Sequence, residues 1–182
     1  MAITLVKKEE FSGVANVTFT QFTSDYKLYL FKFWEISPAT NNVRFDCQFN
    51  ATGQTGFNEA LTTTYARAYN NEANNSNTFE FDNTLQQPGS TTQNYGILAD
   101  AVSNEAVGSL AGEMYLFDPS ESSSFATDYV AEFCYHKNSD YVQRTFVTGY
   151  INTTAGIAAA DFKMSSGDMD GTIALYGIGA ET

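Results

Sequence analysis

Charge is scarce in this chain: Asp, Glu, Lys and Arg together supply 16% of the residues, and only nine of the 182 are Lys or Arg. Those nine are scattered, with Lys7-Lys8 the densest pair, and the formal net charge is -12. Nucleic-acid binding draws its affinity from clustered cations, so this balance argues against it. No apolar run approaches the roughly 18 residues that a membrane-spanning helix needs, so no membrane insertion is expected. The opening "MAITLVKKEE" has too few apolar residues before its charges to read as the core of a signal peptide.

Catalytic residue types are equally thin. His136 is the only histidine, and the chain contains no phosphate-binding glycine loop, nucleophile elbow or zinc-protease helix signature. No catalytic residue, metal or cofactor is assigned, and a non-enzyme is expected. Strand parity puts Glu132, Cys134 and His136 on one face as ligand types, but a mixed polar sheet face is the plainer reading. Asp168 and Asp170 before Gly171 faintly resemble a calcium loop and lack its downstream bidentate Glu, so an ordinary turn is the plainer reading. Cys47 and Cys134 permit one bridge; without a signal peptide, two free thiols are expected.

Aromatic residues are abundant instead, at 15%, with 15 Phe and 11 Tyr. They suit a pleated, half-buried surface. "VRFDCQFN" is the plainest strand: Val43, Phe45, Cys47 and Phe49 point one way, and Arg44, Asp46, Gln48 and Asn50 the other. "YKLYLFKFWEI", Tyr26 to Ile36, is apolar on both parities and reads as a central strand, or one buried against a partner chain. Strand period recurs at Asn16 to Phe22, Tyr65 to Tyr69, Phe79 to Phe81, Ala111 to Asp118, Asp128 to Lys137, Gln143 to Asn152 and in the closing "AADFKM" and "GTIALYGI" pair. Asn70 to Gly96 otherwise reads as long loops. Residues 1–15 read as a docking arm or edge strand, and 16–182 as one β-sandwich domain. Eight to ten short strands without an amphipathic helix point to an all-β, antiparallel, jelly-roll-like β-sandwich with a short N-terminal arm.

Tyr65, Arg67, Tyr69 and Tyr95 bracket the Asn-rich stretch. Tyrosines offer flat faces with polar tips, and amides offer paired donors and acceptors, the mixture that sugars require. The four are candidate ligand-binding residues for a glycan; simple decoration of a sheet face accounts for Tyr65, Arg67 and Tyr69 as well.

The order "TLVKK", "ANVTFTQFTSDYKLYLFKFWEISPAT", "VRFDCQFNATGQTGF", "TYARAY", "GSLAGEMYLFDPS" and "GIAAADFKMSSGDMDGTIALYGI" resembles the β-sandwich appendage proteins of tailed bacteriophages, of the tail-fibre, spike or collar type. The resemblance spans the chain except about Asn70 to Gly108. It implies a non-enzymatic structural virion protein, a homotrimer, with host-surface glycan binding. Its N-terminal segment would dock to a portal, collar, baseplate or capsid partner. Assembly would occur in the host cytoplasm, with the virion as final location. A capsid decoration protein on the same fold and a secreted carbohydrate-binding or glycosidase module are the alternatives.

Overall fold

A computed structural model describes residues 2–89, 94–120 and 124–180. Twelve strands run β1 (Ile3–Val14), β2 (Asn16–Phe19), β3 (Tyr26–Pro38), β4 (Val43–Ala51), β5 (Leu61–Asn71), β6 (Asn77–Phe81), β7 (Gly96–Val102), β8 (Leu110–Phe117), β9 (Thr127–Lys137), β10 (Tyr141–Ile151), β11 (Ile157–Met164) and β12 (Met169–Ala180). All pairings are antiparallel, and the described residues contain no helix. The fold is all-β, a sandwich of nearly closed, barrel-like outline.

Strand order separates a wide layer, β1-β12-β3-β8-β9-β10-β5-β6, from a narrow one, β2-β11-β4-β7. The layers join where β7, the edge of the narrow one, meets the end of β9, Val102 pairing with Lys137. Between them lies an aromatic core. Phe31, Phe33 and Phe133 come from the wide layer and Phe19, Phe45 and Phe162 from the narrow one, all at most 1% exposed. The Phe31–Phe162 and Phe33–Phe162 centroids stand 5.0 and 5.2 Å apart in edge-on packing, a geometry that aromatic quadrupoles favour. Burying each such ring contributes on the order of 2–3 kcal/mol.

β3 shows how a local bulge redirects a sequence pattern. Continuous alternation places Ile36 with Leu30 and Trp34, away from Phe33. Glu35 takes φ 53°, and the register against β8 slips between Phe33 and Ile36. The inserted residue flips parity, so Ile36 is buried in the core and Trp34 is 40% exposed. The close partner is Gly171, at φ 145°; a Cβ there would lie 2.6 Å from Ile36 Cδ1. The aromatic face of β3, Tyr29, Phe31 and Phe33, is therefore spent on the chain's own core.

Residues 3–14 form an edge strand on β12, with the register running from Ile3↔Ile178 to Val14↔Met169. The Asn-rich stretch is not a long loop: Asn70 pairs with Asn77, and Asn71 Oδ1 accepts the Asn75 and Ser76 amides in a tight hairpin turn. β7, whose GILADAV is almost wholly buried, is a strand that the alternation pattern did not reveal. Its two faces are both covered, which removes the period-2 signal.

The outer face of the wide layer is apolar at one end. Phe79 and Phe81 of β6 are 65% and 67% exposed, and Phe146, Val130, Tyr150 and Phe117 continue the patch across β10, β9 and β8.

Candidate functional site

The residues Arg44, Asp46, Gln48 and Asn50 alternate outward on β4, where solvation is expected. Asp46 and Gln48 are instead 2% and 0% exposed, because Gln86, Gln87, Asn94 and Tyr95 lie over this part of the narrow layer. Gln48 anchors that cover. Its Nε2 donates to Glu59 O (3.1 Å) and Asn94 O (2.9 Å), while its Oε1 accepts from Phe49 N at 2.8 Å. A buried amide with its groups satisfied fixes a loop, where an unsatisfied one would cost about 1–3 kcal/mol.

A polar cleft of about 510 Å³ remains beneath this cover. Its floor is Arg44, Asp46 and Lys163, and its walls include Gln86, Gln87 and Tyr95. Lys163 faces Asp46 across the β11–β4 register. Asp46 Oδ1 is buried with no hydrogen-bond partner; the nearest cation, Arg44 Nε, stands 3.6 Å away, beyond hydrogen-bond reach. Burial pushes the Asp46 carboxyl up to about 7, against the opposing pull of Arg44 and Lys163. A buried carboxyl oxygen left without a hydrogen bond, in a cleft beside two cations, is a candidate point of ligand contact.

Tyr95 belongs to this cleft. Its hydroxyl donates to Asp161 Oδ2 at 2.8 Å, and Asp161 Oδ1 accepts from Thr18 and Asn16, each at 2.6 Å. Lys163 Nζ sits 3.9 Å from the Tyr95 ring centroid, so that face carries an ammonium rather than a sugar. The cleft therefore presents cationic and amide donors plus one carboxyl, a set suited to hydrogen bonding with hydroxyls and anionic substituents.

The other three sequence candidates lie elsewhere and serve a different purpose. Tyr65 is fully buried, so it offers no face to a glycan. Its hydroxyl donates to Asp100 Oδ1 at 2.7 Å, and Tyr135 donates to the same oxygen at 3.1 Å. Arg67 reaches Asp100 Oδ2 at 3.1 Å, Glu80 at 2.8 Å and Asp82 at 2.9 Å. Burial drives the Asp100 pKa upward, but Tyr65, Lys137, Gln143 and Arg67 outweigh it, and the carboxyl is held below the ordinary range. Tyr69 packs beside Arg67 and Lys137, 5.8 and 5.5 Å from its centroid. This cluster pins β7 against β5, β9 and β10. Sequence proximity grouped Tyr65, Arg67 and Tyr69 correctly; it could not separate them from Tyr95, nor expose Asp46, Arg44 and Lys163.

Glu132 and Cys134 do not converge on His136. Alternate residues of a strand stand roughly 6.7 Å apart; Glu132 pairs with Arg144, and Cys134 is an exposed free thiol. Asp170 Oδ1 accepts Gly13 N at 2.7 Å, closing the β1 bulge rather than lining a calcium loop. No known protein family, curated protein or solved structure matches this chain.

Proposed function

We propose that this chain is a non-enzymatic structural protein of a tailed-bacteriophage particle, of the tail-fibre, spike or collar type, which binds a host-surface glycan in the cleft beside Tyr95. The observation that carries the reading is the buried Asp46 carboxyl, its Oδ1 without a hydrogen bond, in a polar cleft lined by Arg44 and Lys163. A site of this kind holds hydroxyl-rich ligands through convergent donors and acceptors. Two of the chain's nine basic residues, Arg44 and Lys163, line it, so glycans bearing carboxylates are the preferred class.

The strand nesting supports the virion reading. β1-β12-β3-β8 and β2-β11-β4-β7 have the pairing order of a jelly roll, with β5-β6 and β9-β10 as insertions that widen one layer. Jelly rolls recur in capsid and lectin domains. The apolar outer patch supports self-association. Across it, Arg144 pairs with Glu132 and Lys32 with Glu113, which lowers its local charge to that of Asp128 on a chain of net charge -12. Copies of an acidic chain meet most readily where their local charge is low. A trimer so formed would multiply weak glycan contacts into avidity. The β1 edge, with Ile3 and Leu5 exposed, is the place for a portal, collar, baseplate or capsid partner to add a strand.

A glycan array probed with the chain tests this reading. Retention of carboxylate-bearing glycans, lost in Lys163→Ala and unaccompanied by hydrolysis, supports it. No retained glycan, or turnover abolished by Asp46→Asn, overturns it. Fractionated particles separate the placements: the chain on heads alone identifies a decoration protein, and its absence from particles leaves a secreted module.

A further inference from the structure

The sole imidazole of the chain sits where two hairpin turns meet. The carboxylates of Glu72, at the start of the β5–β6 turn, and Asp140, in the β9–β10 turn, converge on His136, with one ligand atom from each lying within 4.8 Å of the others. Glu72 N donates to Asp140 O at 3.0 Å, which holds the turns together. The backbone of His136 is fixed as well, donating to Ser109 O at 3.3 Å and accepting from Ser103 N at 3.1 Å.

Two further observations concern unfilled acceptor and donor capacity. His136 Nδ1 is buried without a hydrogen-bond partner, and so is Asn70 Oδ1. Both residues line one cavity of about 220 Å³, together with Glu72. Glu105 Oε2 stands 3.7 Å from Nδ1, close to the outer carboxylate that commonly orients a ligating imidazole.

We propose that Glu72, His136 and Asp140 bind a divalent transition-metal ion, zinc by their ligand chemistry, which clips the β5–β6 turn to the β9–β10 hairpin. Calcium and magnesium take oxygen ligands, whereas one imidazole with two carboxylates suits zinc. Ligand atoms around four-coordinate zinc stand about 3.4 Å apart. The needed contraction is within rotamer reach, because Glu72 and Asp140 are exposed. The site is independent of the glycan cleft.

Calorimetric titration of the full chain with ZnCl₂ tests the proposal. One equivalent should bind and raise the melting temperature, while CaCl₂ should do neither. Glu72→Gln, at an exposed position, and His136→Ala should each weaken zinc binding at least about tenfold, with melting in EDTA showing that both remain folded. Cys134→Ser should bind as the wild type does. Absence of zinc binding overturns the proposal, as does binding that is lost in Cys134→Ser and kept in Glu72→Gln and His136→Ala.

Discussion

Replacing Asp46 by Asn should stabilise the protein above neutral pH. In the folded state the Asp46 carboxyl is raised from 3.8 to about 7, so the folded chain holds a proton that the unfolded chain has released. For a raised carboxyl the associated stability is fully present below the unfolded value and is lost as pH climbs to the folded one. Each unit is worth about 1.4 kcal/mol. Over the whole interval the loss is at most about 4 kcal/mol, reduced by whatever water enters the cleft; between pH 5 and pH 8 it is about 3 kcal/mol. The amide of the Asp46→Asn variant keeps the shape of the carboxyl and has no proton to lose in this range. Urea unfolding of both proteins at pH 5, 6, 7 and 8 isolates the effect, since other groups cancel in the difference. The gap between variant and wild type should widen in the variant's favour as pH rises, by about 3 kcal/mol from pH 5 to pH 8. A gap that stays constant with pH, or an Asn variant less stable at pH 8, would refute the argument that burial outweighs Arg44 and Lys163 at this carboxyl. Retaining such a group against stability is the signature of a residue kept for binding.

Tyr65→Phe removes a donor from the buried Asp100 carboxylate and should cost about 1.5–3 kcal/mol in chemical denaturation while leaving glycan retention unchanged. The depressed Asp100 carboxyl contributes stability present above about pH 4 and lost as pH falls further, and that acid-side loss should shrink in the same variant. With Cys47 buried, burial pushing its thiol well up, and Cys134 exposed, Ellman's reagent should titrate one thiol per native chain and two after unfolding; two at once would contradict the packing of β4. Phe146→Asp, in the middle of the apolar patch, should reduce the assembly measured by light scattering to monomers; an unchanged mass would remove that patch as the interface.

The fold was legible wherever one face of a strand meets water. β9 and β10 alternate cleanly, and their inward residues are the buried ones. Legibility failed where tertiary structure overrides period 2. β7 is covered on both faces, and the bulge at Glu35 reverses the parity of Ile36. The site was harder. Tyr95 was identifiable as an aromatic among amides, yet its partners come from β4 and β11, more than 45 residues away on either side. Asp46 read as a solvated strand residue because its cover, from Gln86, Gln87, Asn94 and Tyr95, leaves no trace in the local pattern. Tyr65 misled for the converse reason: an aromatic with a polar tip satisfies a buried carboxylate as readily as it meets a sugar.

The measurement that bears most directly on the account is a crystal structure of the chain soaked with a carboxylate-bearing glycan from the array. The account predicts density in the cleft, with the ligand carboxylate against Arg44 or Lys163 and a hydroxyl donating to Asp46 Oδ1. Density on the apolar face around Phe79, Phe81 and Phe146, with the cleft unchanged, would contradict it.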